Sequence, residues 1–247
     1  MLKLSDNLVV KIRPVDRQQA PPENEPDVLT YLRSRLPELP IPESLGLLQI
    51  KETCYSFMSY LPGREGSSTW PLLTDTRKDR FRSDLALQLL RLRSLSNDTG
   101  SFGFNGVCID LRRGENTTNS RITTFQDFLS FLLENPFRPI SDEYIEYLKN
   151  RVFKSELQGT ADDLIFTHAD LHPRNILIGE DREITGIIDW ETSGWYPRYW
   201  EGVKALNTTS FTKDDNANNW WRILPENVLD GTKWAADILI SRATGRG

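Results

Sequence analysis

The chain reads as an α+β protein in two parts: a small β-rich N-terminal part and a larger, mainly helical part after it. Three observations predict this. NLVVKIR (residues 7–13) and ETCYSFMSYL (52–61) are runs of strand-forming residues, and the second ends at the turn signal Pro62-Gly63. Beyond that turn Phe81, Leu85, Leu89 and Leu92 recur at helical spacing. Still later the period falls to two in DLIFTH, NILIGE and EITGIIDW.

The elements follow in order. NLVVKIR is the first expected strand. After a proline-bounded charged turn, Val28, Leu29, Leu32 and Leu36 share one helical face, and Pro40 and Pro42 close that helix. ETCYSFMSYL completes the first part, so the division falls between residues 1–62 and 63–247. In the second part a core helix starts near Asp75, its expected cap. TTFQDFLSFLLEN and SDEYIEYLKNRVFKSEL begin on Thr or Ser, the latter with the capping-box-like Ser141-Asp142-Glu143. GEDRE joins NILIGE and EITGIIDW as a hairpin, and WWRILPENVL and GTKWAADILISRA read as two amphipathic helices in the tail.

Composition bounds the function. The chain has 247 residues, 38% of them hydrophobic, which is enough for a sizeable core. A formal charge of -5 argues against nucleic acid or an anionic membrane surface as partner. No apolar stretch approaches the roughly 18 residues of a membrane span, and MLKLSDNLVVKIRPVDRQQ lacks the apolar centre of a signal peptide. The two cysteines, Cys54 and Cys108, have no metal-ligand spacing and fit free thiols in a reducing compartment, so the cytoplasm is the expected location.

The chemistry concentrates in FTHADLHPRNILI, residues 166–178, which hold both histidines of the chain. As an extended segment, His168, Asp170 and His172 would share a face and could ligate a transition metal, but no third histidine completes a zinc shell and Pro173 breaks the strand. The plainer reading packs His168 as a hydrogen-bonded residue that holds a loop, with His172 exposed. A second acid, Asp189, ends the apolar run GIID beyond the hairpin. Asn175 and Asp189 offer hard oxygen ligands to magnesium, and Asp170, five residues before Asn175, can accept a proton. This is the set phosphoryl transfer requires. Lys11, inside an apolar strand, suits contact with phosphates, and Glu25, opening the next helix, is its natural ion-pair partner.

In these motifs the sequence resembles the aminoglycoside phosphotransferase and choline-kinase-like family of small-molecule kinases, especially a fungal-type branch with IIDWE followed by GWYPRYWE. The resemblance runs from LVVKI to about Ala205. It implies a two-lobed protein-kinase-like fold, with ATP and Mg2+ as cofactors and transfer of the γ-phosphate to a hydroxyl of a small-molecule partner. By the same match Asp170 resembles the catalytic base, and Asn175 and Asp189 the magnesium ligands. Lys11 resembles the phosphate-contacting lysine and Glu25 its partner, while Phe57, Met58, Ser59 and Tyr60 match the adenine-binding hinge. In the family a β-hairpin carrying a phosphate-covering loop precedes the lysine strand. Here six residues precede NLVVKI, so a truncated N-lobe is expected, and a non-catalytic kinase-like binding module is the alternative. The aromatic strip Trp190, Trp195, Tyr199 and Trp200 is expected to pack the C-terminal lobe around a structural Glu201 rather than to cage a cationic substrate.

Overall fold

The computed structural model describes residues 1–15, 20–110, 116–118, 120–133, 141–154, 160, 163–181, 183–207 and 224. The β-rich part opens with β1 (Leu2–Lys3) and β2 (Leu8–Pro14), followed by α1 (Asn24–Arg35), β3 (Ser44–Ile50) and β4 (Thr53–Ser59). The strands form one antiparallel sheet in the order β1-β2-β4-β3. In register, Val9, Lys11 and Arg13 of β2 stand opposite Met58, Ser56 and Cys54 of β4, all three buried. Residues paired across a ladder share a face, so the sheet turns Lys11 and Arg13 inward. The two-residue β1 lies ahead of the lysine strand, where the sequence led us to expect no strand. Leu4 and Ser5 close its turn by donating their N–H groups to Leu8 O. Val28, Leu29 and Leu32 of α1 are buried, as their spacing predicts.

Directly after Pro62-Gly63 comes β5 (Arg64–Glu65), which leaves the first sheet and joins a second one, of order β10-β9-β5, with β9 (Ile176–Ile178) and β10 (Ile184–Ile187). Gly63 sits at φ +146°, and a Cβ there would lie 2.6 Å from Thr185 Oγ1, so only glycine fits between β5 and the hairpin. The short α2 (Gly66–Thr69) precedes α3 (Asp75–Arg93), whose Phe81, Leu85, Leu89 and Leu92 enter the main core. Thr74, not Asp75, occupies the cap position of α3; Asp75 is the first helical residue, where its charge favours the helix dipole. The pair β6 (Ile109–Asp110) and β7 (Asn116–Thr117) follows, then α4 (Phe125–Leu133) and α5 (Asp142–Tyr147). Thr124 Oγ1 accepts from Asp127 N at the start of α4, and Ser141 Oγ caps α5 by accepting from Tyr144 N, so both expected starts hold.

The last described elements are β8 (Leu164–Thr167), β11 (Gly194–Pro197), which pairs antiparallel with β8, and α6 (Trp200–Asn207). DLIFTH is thus a strand, but its partner is the aromatic strip, which was not expected to be extended. Trp190, Trp195, Tyr196 and Trp200 are all buried in the core with Phe128 and Phe166. Both cysteines are buried and free. The two expected tail helices lie outside the described residues. Among the described residues no helix is long and apolar enough to cross a membrane.

Candidate active site

Two loops, after strands of two different sheets, carry the acids. The first follows β8 and holds His168, Ala169 and Asp170; the second follows β10 and holds Asp189 and Glu191. Each loop turns at a non-glycine residue in the left-handed region, Ala169 at φ +63° and Asp189 at φ +70°. Such residues persist only where the surroundings over-determine them. Here the Glu201 carboxylate accepts from His168 N at 2.7 Å and from Ala169 N at 3.2 Å. Thr192 and Ser193 both donate their hydroxyls to His168 O at 3.1 Å.

His168 is completely buried. Its Nδ1 accepts from Asp170 N at 3.2 Å, and its Nε2 lies 3.0 Å from Ile188 O, a pairing that the Nε2–H tautomer satisfies at both ends. With both ring nitrogens engaged, His168 is no metal ligand, and the histidine-metal reading falls. His172 is half-buried rather than exposed, and its Nδ1 accepts from Arg174 N.

Asp170 and Asn175 meet directly: Asn175 Nδ2 donates to Asp170 O at 2.8 Å and to Asp170 Oδ2 at 2.9 Å. Arg174 NH2 adds a third contact to Oδ2 at 3.2 Å. The amide's Oδ1 makes no hydrogen bond among the described residues, so it is available to a cation. Among the described residues Asp189 hydrogen-bonds through Oδ1 and not through Oδ2.

Lys11 is the centre of the second cluster. Its Nζ lies 2.6 Å from Asp189 Oδ1, 2.9 Å from Glu191 Oε2 and 3.0 Å from Glu25 Oε2. The sheet lysine, the helix glutamate and the loop aspartate picked out in the sequence are therefore brought into one contact. Burial works against the lysine's charge, but Glu25, Asp189 and Glu191 together outweigh it and hold the ammonium far above its usual range. Burial pushes the Glu25 carboxyl up, against the pull of Lys11. For Asp189 burial is overcome by Lys11, and its carboxyl is held below the ordinary aspartate value. Glu25 Oε1 also accepts from Trp190 N at 3.0 Å, tying α1 to the second loop.

The residues expected to form the hinge behave differently. Phe57, Met58 and Ser59 are part of β4, and their ladder partners occupy much of their backbone. Ser59 N donates to Glu43 O and Tyr60 N to Asn7 O, both at 2.9 Å. Leu61 is the first residue of this segment whose N–H makes no hydrogen bond among the described residues. A cavity of about 650 Å³ lies beside it, lined by Tyr60, Pro62, Gly63, Ile178 and Thr185 among others, but it contains none of the acids above. The acids line instead a smaller cavity of about 240 Å³, which Asp170, Arg174, Asp189, Glu191 and Thr192 border.

Sequence reasoning passed over five residues of this site. Glu191 follows Asp189 at the alternate position of IIDWE, and Arg13 follows Lys11 at the alternate position of β2, so period two carried a signal for both. Arg13 NH1 contacts Glu191 Oε2 at 2.9 Å. Arg174 lies four residues after Asp170. Asp110 and Lys204, 94 positions apart, carried no local signal.

Over residues 2–227 the chain matches the model of the phosphotransferase enzyme family. It belongs to that family. No curated protein matches it. Among solved structures, this phosphotransferase-family chain is similar to a thermostable mutant of aminoglycoside phosphotransferase APH(4)-Ia in ternary complex with ADP and hygromycin B. The identity is 15%, the TM-score 0.61, and the match covers 97% of this chain and 84% of that one. It is also similar to ADP-bound APH(2'')-Ib, at 16% identity, TM-score 0.57, and coverage of 96% and 75%. At such identity the likeness fixes the fold, which is two-lobed and kinase-like, and the phosphotransferase family accounts for the β-rich first lobe and mainly helical second one.

Proposed function

We propose that the protein transfers the γ-phosphate of ATP to a hydroxyl of a small molecule. One observation carries the reading: Lys11 and Glu25 join Asp189 in one ion-pair cluster, Asn175 hydrogen-bonds Asp170, and Asp170 and Asp189 line a common cavity. The neighbours' bound ADP, AMP-PNP and hygromycin B support a nucleotide and a hydroxyl-bearing acceptor. Residues 1–62 and 63–247 act as the two working lobes.

Asp170 orients the acceptor hydroxyl and takes its proton. The acceptor oxygen bonds to the γ-phosphorus as the bond to the β-bridging oxygen breaks, and that electron pair leaves on ADP. Positioning is the main contribution of Asp170, and the Asn175 amide and Arg174 hold its carboxylate in place. Asn175 Oδ1 and the second oxygen of Asp189 are hard ligands that suit Mg2+, which when bound neutralises charge on the phosphate oxygens. Lys11, released from Asp189, reaches the α- and β-phosphates while Glu25 keeps it in place. Of the hinge, Leu61 N–H is the donor open to the adenine, with Phe57, Met58, Ser59 and Tyr60 forming the strand behind it.

Calorimetric titration of the chain with ATP tests this. Magnesium-dependent binding that disappears in Asp189→Ala is expected. Absence of binding at millimolar ATP would favour the non-catalytic module instead.

A further inference from the structure

The N-terminal sheet ends on a strand with little to guard it. β3 (Ser44–Ile50, SLGLLQI) is last in the order β1-β2-β4-β3, so among the described residues it has a strand partner on one side only. Sheet edges are usually protected by charge, proline, a bulge or a covering element, because their free N–H and C=O groups invite another strand. Of these devices β3 has a bulge, between Ser44 and Gly46, but no charged residue and no proline. Its Leu45, Leu47, Leu48 and Ile50 are between 39% and 51% exposed. The ladder shows which backbone groups are free. Ile50 and Thr53 flank the two-residue turn Lys51-Glu52 and bond to each other. By alternation Leu48 also bonds to β4, and the N–H and C=O groups of Leu47 and Gln49 point away from it.

We propose that β3 is a dimerisation edge whose occupant is β3 of a second copy of this chain, antiparallel and centred on Leu47. Pairing about Leu47 sets Leu48 opposite Gly46, Gln49 opposite Leu45, and Lys51 opposite Glu43. Leu47 then faces Leu47, an apolar contact without like charges. Leu48 of each copy meets Gly46 of the other, where nothing lies within 4 Å of the position a Cβ would take, so the leucine has room. Charge fixes the register. Glu43 and Lys51 are both exposed, and neither is in an ion pair among the described residues. They stand at opposite ends of an uncharged strand, and the two-fold arrangement brings each to its opposite on the other copy. A strand of an unrelated protein would need opposite charges at the same spacing, whereas a second copy has them by symmetry. Because both molecules use the same edge, the contact closes at a dimer. The strand offers seven residues against the roughly 20–30 a side of a standard interface, so the dimer is weak, with a dissociation constant of about 10–100 μM. None of this depends on the phosphotransfer chemistry.

Analytical ultracentrifugation of the full chain from about 1 to 300 μM, a range that brackets this constant, tests the proposal. The average mass should climb from the 28.4 kDa monomer towards twice that value. Leu47→Lys should hold the chain monomeric throughout. Gln49→Pro removes an outward N–H without touching the bonds to β4, and it carries the same expectation if Leu47→Lys does not fold. Glu43→Lys and Lys51→Glu should each weaken the dimer at least tenfold, and the two together should return it to within threefold of wild type. A wild-type chain that stays monomeric over the whole range overturns the proposal, whether its own residues or another protein cover the edge. A dimer that Leu47→Lys leaves unchanged overturns it too, as do assemblies larger than the dimer. Charge reversals that the double variant does not rescue overturn the register centred on Leu47.

Discussion

Replacing Lys11 by Met would leave Glu25 as a buried carboxylate with one remaining hydrogen bond, from Trp190 N. Glu25 is 2% exposed, so the loss is that of a buried ion pair, for which removal of one partner costs about 3–5 kcal/mol. The lower end applies, because the Asp189 and Glu191 side chains are 29% and 18% exposed and water screens their share. At about 2–4 °C per kcal/mol for a chain of this length, Lys11→Met should melt about 6–12 °C below wild type at neutral pH. The pH dependence has a definite sign. Without Lys11 the already raised Glu25 carboxyl rises further, and a group with a raised folded value stabilises most below its unfolded value, near 4.3. The deficit should therefore shrink as pH falls towards 5. Neutralising the orphaned acid as well, in Lys11→Met/Glu25→Gln, should recover half or more of the loss, and a thermal double-mutant cycle measures this. A melting point for Lys11→Met within about 2 °C of wild type, or strictly additive effects in the double variant, would refute the cluster as described.

Asp170→Asn should lower turnover by about 10² or more while the calorimetric affinity for Mg-ATP changes little, since the residue is assigned to the acceptor proton. Glu201→Gln replaces one of two amide-accepting oxygens by a donor facing an N–H; with charge-assisted bonds worth about 1.5–3 kcal/mol each, it should destabilise by roughly 2–3 kcal/mol in a denaturant titration and lower turnover through the displaced loop. Asp189 has a depressed folded value, so its contribution is present above the ordinary aspartate value near 4 and is lost as pH falls through the folded one; melting curves between pH 7 and pH 3 should show this loss, and Asp189→Asn should abolish it.

What the sequence disclosed depended on distance along the chain. The 170-to-175 spacing was legible because both residues lie on one loop, and the geometry joins them by direct hydrogen bonds. Lys11 with Glu25 was legible because a lysine in an apolar strand demands a partner. The helical face of α3 was legible from period alone. The pairing of β8 with β11 was not, because GWYP, the whole of β11, is buried on both faces and so shows no alternation to read. The Asp110–Lys204 pair was invisible for a related reason: a buried charge is recognised only by its partner, and here the partner comes from an element 94 positions away.

His168 shows why the packed reading of a residue and the functional reading of its neighbour are one statement. Asp170, the proposed base, and Asp189, the proposed metal ligand, lie on separate loops, each held in a strained left-handed turn that costs of order 1–3 kcal/mol. Something rigid must set the distance between those loops. An imidazole in its Nε2–H form carries an acceptor on one side of a flat ring and a donor on the other, and here the acceptor takes Asp170 N while the donor faces Ile188 O, the residue before Asp189. The ring centroid lies 4.6 Å from that of Trp190, so the indole packs against the imidazole. A serine or asparagine could satisfy one loop but is too short to span both, and a lysine offers no acceptor. The histidine touches no reacting atom in the proposed chemistry, yet by joining the two loops it fixes how far Asp170 stands from Asp189.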